Sequence, residues 1–194
     1  MQINSEINSI FKDHSKVIDL ISNSEKIKST IYQIITELVK CINSNNKILL
    51  AGNGGSAADS QHMSSELVGK LCFERDGIPA ISLASDIAII TSISNDISYE
   101  NIFARQIKAL CREGDVVLLY STSGKSKNIL EAIKQTKLSK GIPIGFTGMN
   151  GKIMHEKCDH CIEIPNNSTQ RIQEAHHLIN HIICEIVEKK IFNN

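Results

Sequence analysis

Five short, almost wholly apolar runs constrain this chain most: Ile48 to Ala51, Pro79 to Leu83, Val116 to Tyr120, Ile142 to Thr147 and Cys161 to Ile164. Each is of strand length and lacks a polar alternation, as in strands buried on both faces. Helical patterns fall between them, at about 56–70, 86–94, 99–112, 126–139 and 169–191. That alternation predicts an α/β domain around a mostly parallel sheet. Ligands of such sheets bind at the carboxyl ends of the strands.

Two amphipathic helices precede the first strand. One spans residues 3 to about 22, with Ile3, Ile7, Ile10, Phe11, Val17, Ile18 and Ile21 on its apolar positions. The second runs from about Ser24 to Ile42 and stops at the polar Asn43 to Asn46. The chain divides into an N-terminal helical arm, 1–45, and an α/β core, 46–194, within one domain of 194 residues. The isoleucine-rich faces of the arm predict an oligomer. Charge is balanced, with 21 basic and 21 acidic residues, so nothing draws the chain to nucleic acid or a membrane surface. No apolar run approaches the ~20 residues of a membrane span, and residues 1–16 have no signal-peptide core. Six cysteines, at 41, 72, 111, 158, 161 and 184, lie within helix and strand patterns, as reduced thiols of a cytoplasmic protein do.

The richest stretch is Lys47 to Gly69, KILLAGNGGSAADSQHMSSELVG. A strand meets the glycine turn Gly52-Asn53-Gly54-Gly55, and a helix opens at Ser56. That order aims backbone N–H groups at an anion. Within the helix His62 and Glu66 stand four apart, on one face, with Cβ atoms about 6 Å apart. The plain alternative is an exposed i,i+4 pair. The plan repeats at Asp115 to Ser126, where a strand ends in Ser121-Thr122-Ser123-Gly124-Lys125-Ser126. Capping explains one serine there, and phosphate binding explains all the hydroxyls of Ser121, Thr122, Ser123 and Ser126. Neither loop is a Walker A or a complete dinucleotide fingerprint.

AGNGGSAADSQHMSSELVG, STSGKS and RIQEAHHLINHIICEIVE together resemble the phosphoheptose isomerase family of the sugar isomerase (SIS) domain superfamily, over essentially the whole chain. The resemblance implies a three-layer sandwich on a five-stranded sheet. It implies conversion of sedoheptulose 7-phosphate to D-glycero-D-manno-heptose 7-phosphate, a precursor for lipopolysaccharide core or capsule. A homotetramer with sites at subunit boundaries, and one zinc per subunit, are implied too. Position by position, His62, Glu66, Gln173 and His181 resemble the metal ligands, with Glu66 also the base and His181 the acid. Asn53, Gly54, Gly55, Ser56, Asn95 and Asp96 resemble sugar contacts, joined by Glu66 and Gln173. Ser121, Thr122, Ser123 and Ser126 resemble the phosphate loop. Two positions depart from the pattern: Ile97-Ser98-Tyr99 replaces a glycine-containing run, and Gln170 replaces an aspartate of some members.

An aldose–ketose isomerase needs a base for a carbon-bound proton and an acid for the carbonyl oxygen, a role a carboxylate and an imidazole can share. A zinc-bound carboxylate is a poor base, so the metal either polarises the sugar oxygens or fixes the geometry. Gln173 and His181 are eight residues apart, roughly 12 Å along a helix, and share one ion only if it sits between them. The alternative function is a non-catalytic SIS-domain regulator that senses a phosphosugar or binds a protein partner. Cys158 and Cys161, with His155 and His160, suggest a metal knuckle without a second ligand pair, and read better as core thiols. His177, at i,i+4 from His181, is a secondary ligand candidate, and His176 matches a histidine common in the family.

Overall fold

The computed structural model describes residues 2–192. The chain opens with helices α1 (Gln2–Ser22) and α2 (Glu25–Asn43). Ser24 caps α2 by accepting the Ile27 N–H at 3.3 Å, which leaves one fewer orphan donor at the helix start. The polar break predicted at Asn43 to Asn46 is a turn, with Asn45 in the left-handed region at φ 57. Five strands follow: β1 (Ile48–Gly52), β2 (Ala80–Ser82), β3 (Val116–Ser121), β4 (Ile142–Gly148) and β5 (His160–Ile164). Between and after them come α3 (Gly55–Val68), α4 (Ile87–Asp96), α5 (Ile102–Leu110), α6 (Lys127–Leu138), α7 (Lys152–Lys157) and α8 (Thr169–Phe192).

All strand pairs are parallel, in the order β2-β1-β3-β4-β5. Every residue of β1 and β3 is buried, as their unbroken apolar runs predict. Side chains alternate between two cores, because successive strand residues face opposite ways. Ile48, Leu50, Val116, Leu118 and Phe146 meet α1, α2, α3 and α8 on one face. Leu49, Ala51, Val117 and Leu119 meet α5, α6 and α7 on the other. This is the α/β/α sandwich expected. Each such fully buried aliphatic contributes about 1.5–3 kcal/mol. Asp115, 1% exposed, ties the strand starts together by accepting from Lys47 N at 3.0 Å and Arg112 N at 2.7 Å.

Three boundaries differ from the sequence-based ones. The edge strand β2 keeps only three residues, although Pro79 O and Leu83 N still bond β1. The helix expected from 99 begins as a 3₁₀ turn, Tyr99–Asn101, because Ser98 is extended. The six-residue α7 has no sequence signal; its one buried residue, Met154, gives no periodicity to detect. Among the described residues no helix is long and apolar enough to cross a membrane.

Candidate active site

The strand order reverses between β1 and β3, whose ends Gly52 and Tyr120 pair in register. The glycine turn and the serine loop therefore open side by side on the carboxyl edge of the sheet. Gly54 has φ 56 and ψ −122, a conformation that suits only glycine, and a Cβ there would meet nothing within 4 Å. The turn thus leaves open space above itself. Asn53 faces that space with its amide fixed. It exchanges hydrogen bonds with Asn128 of α6 at 2.9 and 2.8 Å, and accepts the Tyr99 hydroxyl at 2.8 Å. Tyr99 sits in the departing Ile97-Ser98-Tyr99 run, whose residues have no positive φ, so the missing glycine is not needed there.

In the serine loop the Ser121 and Ser126 hydroxyls are 3.0 Å apart, and Ser123 Oγ accepts from Lys125 N at 3.2 Å. Among the described residues no side chain caps α6; the Ile129 N–H bonds the Ser126 carbonyl, which leaves the N–H groups of Lys127 and Asn128 for an anion. A cavity of about 150 Å³ adjoins the loop, lined by Thr122, Ser123, Lys125, Asn150, Asn166 and Asn167. Its size and donors suit a phosphate better than an apolar group.

The third component is a seam between α3 and α8, which run in step. At its start Gly55 faces Gln173; a Cβ on Gly55 would lie 2.6 Å from Gln173 Nε2. One turn on, Asp59 Oδ1 is 3.3 Å from His177 Nδ1. Next, His62 Nε2 lies 3.0 Å from His181 Nε2 and 3.2 Å from Glu66 Oε1. Ligand atoms of His62, His177 and His181 all fall within 4.8 Å of one another. Three imidazoles this close suit a borderline-soft divalent ion such as zinc. Burial, then the neighbouring His177 and His62, push His181 below its ordinary pKa. Burial raises the Asp59 carboxyl, against the lowering effect of His177.

Glu66 is held from behind. Arg75, buried beside α3, donates to the carbonyls of Glu66, Leu67 and Gly69 at 2.7, 2.7 and 2.9 Å, satisfying the helix end. Its Nε donates to Glu188 of α8 at 2.9 Å. Burial alone would raise Glu188, but the N–H groups of Cys72 and Leu71 and the Arg75 guanidinium outweigh it and hold the carboxyl below its usual range. No sequence motif announced this clasp.

The structure thus brings His62, Glu66 and His181 together and sets Gln173 at the far end of the seam, beside the glycine turn. Ser56 is buried in the first turn of α3. Asn95 and Asp96 are exposed at the end of α4 and bond one another at 2.7 Å. Gln170 accepts from the Ser168 hydroxyl at 2.9 Å. His176 is a core residue, edge-on to Tyr120 and Phe146, its pKa pushed down to about 4 by burial. Cys158 and Cys161 are free thiols packed on Gly145, with burial raising Cys161 to about 12.

A SIS domain profile matches residues 14–148. The chain is 48% identical to phosphoheptose isomerase 2 of Campylobacter jejuni over 190 residues, covering 98% of this chain and 94% of that one. It is 43% identical to the phosphoheptose isomerase of Aneurinibacillus thermoaerophilus, covering 99% and 97%. Among solved structures, a phosphoheptose isomerase from Francisella tularensis superposes with a TM-score of 0.92 at 33% identity, covering 97% of this chain and 100% of that one.

Proposed function

The chain belongs to the phosphoheptose isomerases of the SIS-domain family, and from that premise we propose that it converts sedoheptulose 7-phosphate to D-glycero-D-manno-heptose 7-phosphate in the cytoplasm, for heptose precursor synthesis. The observation that supports this most is the approach of Glu66 and His181 to the same imidazole, His62, beside two ligand-ready loops. The phosphate docks on Ser121, Thr122, Ser123 and Ser126 and the open N-terminus of α6. Asn53, Gly54, Gly55, Ser56 and Gln173 line the sugar's path, and Asn95 and Asp96 join it from α4. Glu66 takes the proton from C1 and returns it to C2, through an enediol. His181 supplies the proton for the carbonyl oxygen at O2 as O1 loses its own.

The seam's imidazoles fit a zinc ion, one per subunit, with His62, Glu66, Gln173 and His181 as its proposed ligands. When bound, it would polarise sugar oxygens or fix the site. The enzyme is proposed as a homotetramer. Two exposed apolar faces support this: Ile3, Ile10 and Phe11 of α1, and Ile87 of α4, which is 75% exposed.

The test is turnover of the purified protein on sedoheptulose 7-phosphate, with metal content measured on the same sample. Stereospecific formation of the aldose is expected. Tight phosphosugar binding without turnover would point instead to a regulator built on the same fold.

A further inference from the structure

We propose that Tyr99 is a positioning residue of the sugar site: with Asn128 it locks the Asn53 side chain, so that Asn53 offers the sugar one amide hydrogen and no acceptor. The proposal rests on the reading of the glycine turn as a sugar contact, and adds a residue which that reading leaves out. Tyr99 lies in the run that departs from the glycine-containing pattern, so the family resemblance assigns it no role.

An asparagine side chain has two acceptor lone pairs and two donor hydrogens. In Asn53 the Oδ1 accepts twice, from the Tyr99 hydroxyl at 2.8 Å and from Asn128 Nδ2 at 2.8 Å. One hydrogen of Nδ2 goes to Asn128 Oδ1 at 2.9 Å. Among the described residues nothing takes the second hydrogen, which is left for a ligand. Asn128 alone would hold the amide but leave one Oδ1 lone pair open, so a ligand hydroxyl could approach as donor or as acceptor. The Tyr99 hydroxyl closes that lone pair. An amide fixed in this way selects a sugar oxygen that accepts. The Asn53 backbone is pinned as well, its carbonyl accepting the Ser56 N–H at 3.0 Å.

Tyr99 reaches this place on an anchored segment. It opens the 3₁₀ turn Tyr99–Asn101, in which Asn101 Nδ2 donates to Ser98 Oγ at 2.9 Å and Asn101 N to Ser98 O at 3.1 Å. The next two residues, Ile102 and Phe103, are buried in the core. Asn128 is 2% exposed in the first turn of α6, where the Lys127 and Asn128 N–H groups face the proposed phosphate. Tyr99, Asn53 and Asn128 therefore join the sugar turn to the phosphate helix and set the spacing between the two contacts. Tyr99 itself is 54% exposed. Its hydroxyl adds little to the core, and its loss is felt in the site rather than in folding.

The experiment is a double-mutant cycle in the full-length protein with Tyr99→Phe, Asn53→Ala and the pair, each checked for folding by circular dichroism; Asn53→Ser replaces Asn53→Ala if that variant does not fold. It reads kcat and KM for sedoheptulose 7-phosphate, and by calorimetry the affinities for that sugar phosphate and for inorganic phosphate. Tyr99→Phe is expected to raise KM and weaken sugar-phosphate affinity about threefold to tenfold, the net effect of one neutral hydrogen bond. The value of kcat and the affinity for inorganic phosphate are expected to stay near the parent's, since the amide moves no proton and the serine loop is untouched. In the Asn53→Ala background the same substitution is expected to change nothing, because its effect passes through that amide. An equal effect in both backgrounds, no effect in either, or a parallel loss for inorganic phosphate overturns the role of Tyr99 and leaves the isomerase reading standing. If the parent binds the sugar phosphate without turnover, the isomerase reading falls and the cycle is decided on affinity. A parent that neither binds nor isomerises it overturns both.

Discussion

Helices α3 and α4 each follow a strand of the same sheet, yet they invert the rule that polar residues face water. α3 reads GSAADSQHMSSELV and buries Ser56, Asp59 and Ser60 along with Met63 and Leu67. α4 reads IAIITSISND and has no buried residue at all. In α3 the polar groups are inside because something polar meets them: Ser82 for Ser60 at 2.9 Å, His177 for Asp59, His181 for His62. In α4 Ile90 and Ile93 lean on the core, while Ile87 and Ile89 are exposed. Helix composition therefore reports what each face meets, and both helices depart from amphipathic expectation.

Four substitutions sharpen or break that contrast. The largest effect is expected at Glu66: Glu66→Gln should lower kcat by about 10²–10⁴ while phosphosugar affinity in calorimetry is kept. Turnover near the parent's would remove the catalytic reason for α3's polarity. Next, Ser126→Ala should cost about 1.5–3 kcal/mol of affinity for the phosphorylated sugar and spare its dephosphorylated analogue; equal losses would take the phosphate off the serine loop. Third, Ser60→Ala strands the buried Ser82 hydroxyl and should lower stability by about 1–3 kcal/mol in denaturant titration. A neutral result would mean that α3's buried polar groups are tolerated rather than required. Smallest, Ile87→Ser on α4 should leave the stability of the chain within about 0.5 kcal/mol, as at an exposed site, while light scattering reports a smaller assembly. A large loss of chain stability with the assembly intact would make α4 an ordinary core helix.

The sheet was legible because continuous apolar runs have few other uses, and β1 and β3 lie where those runs do. β2 came out shorter, since at the sheet edge its middle residue, Ile81, is 42% exposed. His62, Glu66 and the serine loop were legible through local spacing, which helix geometry converts into proximity. His181, the partner of His62, came in only through the family resemblance, and the contact of Asp59 with His177 was not legible at all. Asp59 and His177 are 118 positions apart, and nothing local to either one reveals the other. The Arg75 clasp was missed for the same reason: a lone arginine after a helix looks like any exposed cation until Glu188 is found beneath it. Tyr99 stood at the start of a stretch read as helical, and its contact shows only where its hydroxyl meets Asn53.

The long separations across the seam have a consequence for how the protein is made. His62 and His181 are 119 residues apart, and Arg75 and Glu188 are 113 apart. A ribosome therefore synthesises all five strands before the helix that finishes the site. Until then the sheet face that Ile172, Ile179, Ile183 and Val187 will cover stays bare. The same helix closes the core and supplies two of the seam's three imidazoles, His177 and His181. A nascent chain interrupted before α8 is thus left exposed to proteases and chaperones, and cannot persist as a folded but sluggish isomerase.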